Sequence, residues 1–377
     1  MFLKSWARTA VLLGAALVAP AVHADEPMLP KSMLWATYDV GSSGYVEASA
    51  VADAFGKAYG TRVRILPSGT SISRLLPLKT GRVQYGWLAN ELFFATEALY
   101  EFSAQEWGPQ NLRVIAGRPS TFGMAIAADS GITAMSDLRG KRVGRIKANP
   151  SINIKIQAML AFGGLTWDDV EVVEVPSYGA MLKALVDGQV DAVGTTPTAA
   201  TLYEMESSSH GLAWVPMPAD NTEGWKQITS VASFFAPIDA TAGAGLSKEA
   251  PAPIFAVRYP MITVYAEADE DEVYNFIKAL DQTYDIYSSA TAATPAWDLK
   301  RAGRPPADAP FHPGAIRYLK EIGIWTAEDD AWNDKRLARL NAVQAAWEAA
   351  SDEAVDKGTS AKEWPALWEK YRQGLVN

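Results

Sequence analysis

Residues 35–59 constrain the fold more than any other stretch of this chain. They read WATYDVGSSGYVEASAVADAFGKAY. A short apolar run ends at Val40, breaks at Gly41-Ser42-Ser43-Gly44, and resumes with helical spacing. Val46, Ala50, Ala54 and Ala58 fall on one line of that helix, with Val51 and Phe55 on the next. The pattern is strand, polar glycine turn, amphipathic helix. The start of such a helix presents backbone N–H groups without intrahelical partners and the positive end of its dipole. Ser42 and Ser43 add hydroxyls at the same spot. A turn of this kind can hold a carboxylate or phosphate without an arginine. It can equally be a tight βα connection with no ligand, so a site requires that the pattern recur.

It does recur. Residues 61–66 alternate as a strand and run into Pro67-Ser68-Gly69-Thr70-Ser71 before a stripe of Ile72, Leu75, Leu76 and Leu78. Pro77 inside that stripe makes the helix short or kinked. A strand over 83–88 follows, ending near Trp87 and Asn90. Two strands are expected at 111–116 and 121–127, with the chain crossing near Arg118-Pro119-Ser120. A strand at 142–146 leads into Lys147-Ala148-Asn149-Pro150-Ser151 and a helix carrying Asn153, Ile156, Met159 and Leu160. Ser177 can cap the next helix, beside Tyr178. A strand over 190–195 ends at Thr195, Thr196 and Pro197. Residues 76–88 and 182–195 also share a faint pattern of helix end, glycine stop and strand, which suggests two similarly wound α/β lobes. Residues 219–250 offer few clear elements. From residue 327 onward the chain reads as helices anchored by Trp332, Trp347, Trp364 and Trp368.

The expected architecture is α/β and two-lobed: 25–118 with about 231–325 in one lobe, 119–230 in the other, and a helical extension at 326–377. Residues 1–24 are set apart. Lys4 and Arg8 precede an apolar run at 10–19, Pro20 breaks it, and Val22-His23-Ala24 offers small residues for cleavage. This reads as a secretory signal peptide and places the mature chain in the periplasm. The chain has no cysteine, so disulfides, thiolate metal sites and cysteine nucleophiles are excluded. Losing Lys4 and Arg8 with the leader deepens the net charge from −9 to −11. That balance argues against nucleic acid as a partner. It leaves room for a small anion held by local dipoles.

Catalysis finds little support. His210 and His312 stand alone, no metal-ligand spacing occurs, and Gly41-Ser42-Ser43-Gly44 is not a nucleophile elbow. Gly243-Ala244-Gly245 lacks the third glycine of a dinucleotide fingerprint. An enzyme would need His210 or His312 to meet a serine and a carboxylate. No cofactor or metal is expected. Open α/β sheets bind ligands beyond the carboxyl ends of their strands, where all the polar turns lie. Trp87 or Tyr178 could cover a ligand there, and Arg74, Arg118, Arg145 and Lys147 are the nearby cations.

Several stretches carry a family likeness: the turn Gly41 to Tyr45, the Pro67 to Ser71 turn, Asp137-Leu138-Arg139-Gly140-Lys141, Gly188-Gln189-Val190-Asp191-Ala192, and the run FHPGAIRYLKEIG at residues 311–323. On these the chain resembles the TAXI family, the solute-binding proteins of one class of TRAP (tripartite ATP-independent periplasmic) transporters. The resemblance implies a hinged type II periplasmic-binding-protein fold and a non-catalytic, monomeric receptor that delivers its ligand to a TRAP-type membrane permease. Ligands of that family include glutamate, glutamine and 2-oxoglutarate, so a small organic anion or amino acid is implied. Carried over by position, Gly41, Ser42, Ser43, Gly44, Tyr45, Ser68, Gly69, Thr70, Ser71, Asn90, Asn149, Ser151, Asn153, Thr195, Thr196 and Pro197 would line the pocket, with Arg74, Trp87 and Tyr178 as further contacts. A receptor of the same fold serving an ABC importer or a sensor kinase is the alternative.

Overall fold

The computed structural model describes residues 26–232 and 234–375; the leader expected at 1–24 lies outside them. The glycine turn joins β1 (Ser32–Tyr38) to α1 (Ser43–Tyr59), and Ser42 caps the helix by accepting from the Tyr45 N–H. The helix stops at Gly60, whose left-handed backbone (φ 68°) lets its N–H reach the Gly56 carbonyl. β2 (Arg62–Ser68), α2 (Ser71–Lys79), β3 (Tyr85–Leu88) and α3 (Glu91–Thr96) follow. Pro77 falls near the end of α2, which is short, as expected.

β4 (Leu112–Ala127) leads into a second unit: β5 (Arg142–Ile146), α4 (Pro150–Phe162), β6 (Glu171–Val175), α5 (Tyr178–Val186) and β7 (Ala192–Thr195). The two units are wound alike. β1 pairs in parallel with β2 and β3, and β5 pairs in parallel with β6 and β7. The faint sequence repeat therefore marks equivalent places, the end of α2 with β3 and the end of α5 with β7. After α6 (Ala200–Glu206), β8 (Leu212–Trp214), α7 (Thr222–Val231) and β9 (Ala236–Ala240), the long β10 (Ala252–Tyr265) returns through the molecule. The strand order is β2-β1-β3-β10-β4-β7-β5-β6. Each parallel unit is thus completed by an antiparallel long strand, β10 beside β3 and β4 beside β7.

Two expectations are corrected here. The stretch 111–127, read as two strands, is one strand of 16 residues that runs from one unit into the other. Pro119 suggested a break because it cannot donate to a ladder. It is tolerated because the β4–β10 register shifts nearby, between Arg258 and Met261. Residues 219–250 contain α7 and β9; the small residues there hid Trp225 and Ile228, which α7 buries. Phe235, Ala240, Ile254, Phe255 and Val257 all pack in the second core, with Met159, Met181 and Leu185. The first core is built on Trp35, Trp87, Phe55, Phe276 and Trp297.

α8 (Glu270–Gln282), α9 (Tyr284–Tyr287), α10 (Leu299–Ala302) and α11 (Pro313–Glu321) pack on the first half. The extension consists of α12 (Ala327–Lys357) and α13 (Trp364–Gln373). It is tied to the same half. Glu97, almost fully buried, accepts from Arg336 and Arg339 of α12. The indole N–H groups of Trp364 and Trp368 donate to the carbonyls of Ser103 and Ala98. Trp368→Ala should therefore lower the urea midpoint of the main unfolding transition, at a cost of about 3–5 kcal/mol for a buried aromatic. A loss confined to a separate minor transition would mean that the extension is not integral to the first half.

Candidate functional site

The turns that follow β1 and β2 meet the turns that follow β5, β6 and β7 along one seam between the halves. The Gly41 carbonyl accepts from the Ala200 N–H at 3.1 Å, and Ser43 Oγ lies 3.3 Å from Thr196 Oγ1. The Gly69 carbonyl accepts from the Tyr178 N–H at 3.1 Å and from Asn149 Nδ2 at 3.4 Å. Ser71 Oγ donates to Asn149 Oδ1 at 2.7 Å, and the Ile72 N–H to the Ala148 carbonyl at 3.4 Å. Asp39 Oδ2 accepts from the Gly179 N–H at the start of α5, 3.0 Å away, where the helix dipole favours a carboxylate.

The halves touch this closely because glycines allow it. A Cβ on Gly69 would overlap Ser177 Cβ and crowd the Asp39 carboxylate. A Cβ on Gly44 would stand 2.5 Å from the Tyr259 hydroxyl, which instead accepts the Gly44 N–H at 3.1 Å.

The structure separates the expected residues. Gly41, Ser43, Gly44, Gly69, Ser71, Asn149, Ser151, Tyr178, Thr195 and Thr196 come together at or beneath the seam; Tyr178 OH is 2.5 Å from Thr195 Oγ1. Others have local duties. Ser42 caps α1 through the Tyr45 N–H, and the hydroxyls of Ser68 and Thr70 bond to Ser73. The Pro197 carbonyl accepts from the Ala244 N–H. Asn153, expected at the pocket, spends its side chain on the Ile146 backbone, donating to the carbonyl and accepting from the N–H. Trp87 is fully buried in the first core, its ring packed against Trp35 and Trp297, and does not reach the seam.

Arg74 is also corrected. It is fully buried, its Nε donates to Glu91 Oε1 at 2.7 Å, and its guanidinium stacks on Tyr38 at 3.3 Å. Its Nη2 lies 2.6 Å from the same carboxylate oxygen but is poorly aligned for a hydrogen bond. The charge is thus neutralised by Glu91. Arg118 is likewise paired with buried Glu47, at 2.6 Å.

At the centre of the seam lies a small space lined by Tyr38, Ala89, Phe122, Ile152, Lys155, Tyr178, Thr196, Val257 and Tyr259. It leaves about 10 Å³ for the centre of a water-sized sphere, room for roughly one water. A larger guest requires the halves to part. Tyr38, Tyr178 and Tyr259 pack edge to face, and burial raises all three phenols. Beside them Asn90 Nδ2 donates to Asp308 at 2.7 Å, and burial pushes that carboxyl up to about 6 against the pull of the Asn90 bond. Burial lowers Lys155 to about 8, while Glu91 and Asp308 pull it upward.

Lys155 was not picked out from the sequence, nor were Tyr38, Asp39, Glu91, Phe122, Tyr259 and Asp308. For Lys155 a signal was present. The stretch SINIKIQAMLAF is apolar on every face, and a lysine inside such a helix has to be buried. His210 pairs with Asp129 on the surface and His312 caps α11. No group of His, Asp and Glu among the described residues could hold a metal.

Parallel βαβαβ units that face each other across a seam, each completed by a long strand of the other's chain path, define a two-lobed α/β binding fold of the type II periplasmic-binding-protein kind. Residues 36–323 match the NMT1-like family, and the chain belongs to it. In fold it is similar to a protein of Bordetella bronchiseptica RB50 (17% identity, 80% of this chain and 92% of that one, TM-score 0.47). It is also similar to the alkanesulfonate-binding protein SsuA from Xanthomonas axonopodis pv. citri bound to MOPS (15%, 78% and 92%, TM-score 0.44). The GluR0 ligand-binding core in complex with L-glutamate is a third such structure (11%, 72% and 98%, TM-score 0.41). At these values the likeness carries no functional detail.

Two measurements check the site. Gly69→Ala should hold the halves apart and raise the radius of gyration seen by small-angle scattering. Between pH 3.8 and about 6 the folded chain holds a proton on Asp308 that the unfolded chain has released. This residue therefore draws stability down as pH rises across that window. In urea unfolding, Asp308→Asn should gain on the wild type between pH 4 and pH 7, by up to about 3 kcal/mol.

Proposed function

We propose that this protein is a periplasmic solute receptor that closes two lobes on a small organic anion or amino acid and delivers it to a TRAP-type permease. The lobes take in 25–118 with about 260–325, and 119 to about 259. The observation that carries the reading is the seam itself. Strand ends of both units, at Tyr38, Ala89 and Thr196, and the starts of α4 and α5, at Ile152 and Tyr178, border one small space that Phe122 and Val257 also wall. Among the described residues, only β4 and β10 carry the sheet from one half to the other, which makes them the natural hinge. The leader-like residues 1–24 support export. The run at residues 311–323 supports a TRAP rather than an ABC partner; it starts α11 with His312 as its cap. No catalytic role is assigned.

Isothermal titration against short organic acids and acidic amino acids should reveal at least one saturable ligand; silence across the whole panel removes the anion claim. The partner is told by what drives uptake. Collapse of the ion gradient should abolish receptor-dependent uptake while ATP depletion at a held gradient leaves it. The opposite result assigns the receptor to an ABC importer.

A further inference from the structure

Lys155 differs from the other charged groups at the seam. It is 2% exposed, rises from α4 one turn after Ser151, and lines the central space. An ammonium has three N–H bonds to give. Lys155 gives one to Ser151 Oγ at 3.1 Å, and the Phe122 ring centroid lies 4.8 Å away. Among the described residues it forms no ion pair. A buried ammonium in apolar surroundings is costly unless a counter-charge joins it. The other two buried cations nearby already have theirs, Arg74 in Glu91 and Arg118 in Glu47. Arg74 also sits behind the Tyr38 ring rather than on the wall of the space.

Resting on the receptor reading above, we propose that Lys155 is the counter-ion of the bound solute, and that the site takes a monocarboxylate with a short apolar tail in preference to a dicarboxylate. One carboxylate answers Lys155, with the hydroxyls of Thr196 and Tyr178 in the same wall to share its lone pairs. A second carboxylate would find no further cation in the described wall and would lie near Glu91 and Asp308, whose charges already act on Lys155. The tail would rest on Phe122, Ile152 and Val257.

The test compares matched pairs by isothermal titration of the full chain at pH 7: butyrate against succinate, and 2-oxobutyrate against 2-oxoglutarate. Each monoacid should bind at least about tenfold more tightly than its diacid. Lys155→Met, which keeps the length and loses the charge, should weaken the better monoacid by about 100-fold, as expected when one partner of a buried pair is removed. A third reading uses the wild type alone. Only the ammonium binds, so affinity should hold near pH 7 and fall as pH rises above about 8. The groups facing Lys155 do not titrate in that direction there: burial raises Tyr38, Tyr178 and Tyr259, and Asp308 lies lower, at about 6. A diacid that outbinds its monoacid, or an affinity indifferent both to Lys155→Met and to pH above 8, overturns the assignment and leaves the receptor reading standing. Failure of every acid to bind overturns the assignment together with the anion claim.

Discussion

The helices α1, α2, α5 and α6 begin at the seam with backbone N–H groups that their own ladders cannot satisfy, and acceptors on the opposite half answer at least one in each. The α5 start is answered by the Gly69 carbonyl and the Asp39 carboxylate, and α2 by the Ala148 carbonyl. α1 is answered by the hydroxyl of Tyr259 on the long returning strand. This reciprocity fixes how the halves meet. It also explains the glycines at 44 and 69, where a side chain would stand in the way of the acceptor.

Beneath the seam the charges are arranged in committed and uncommitted members. Arg74 with Glu91, and Arg118 with Glu47, are closed pairs whose neutralisation removes them from contention for a ligand. Buried pairs of this sort add little net stability but are costly to break, so they hold geometry more than they add energy. Lys155 and Asp308 are held less completely, one by a serine hydroxyl and the other by an asparagine amide. Burial lowers Lys155 to about 8 and raises Asp308 to about 6, so the two lie on either side of neutral pH.

Local chemistry was legible in the sequence wherever it is local. The turn at Gly41 to Gly44, the cap at Ser177 and the glycine stops follow from neighbours a few residues apart. The likeness of residues 76–88 to 182–195 exposed the doubled winding, because equivalent helix–strand junctions need the same glycine and the same apolar strand start. What could not be read were meetings between distant residues. Arg74 looked available because Glu91 lies on another element. Trp87 looked like a lid because the strand end beside it is at the seam, whereas its own side chain points to the core. Pro119 suggested an interruption because the register shift that accommodates it belongs to β10, more than a hundred residues away.

The C-terminal helices have a mechanical effect that reaches the central space. Arg336 bonds to Glu97, to Thr96 and to the carbonyl of Asp308, whose side chain in turn holds Asn90 at the end of β3. The hydrogen bonds described from α12 and α13 to the rest of the chain end on the first half. That half is splinted from behind while the other is not, so the molecule is asymmetric in stiffness as well as in mass. Thermal fluctuation across the seam would then be borne chiefly by the unsplinted half, swinging against a fixed jaw.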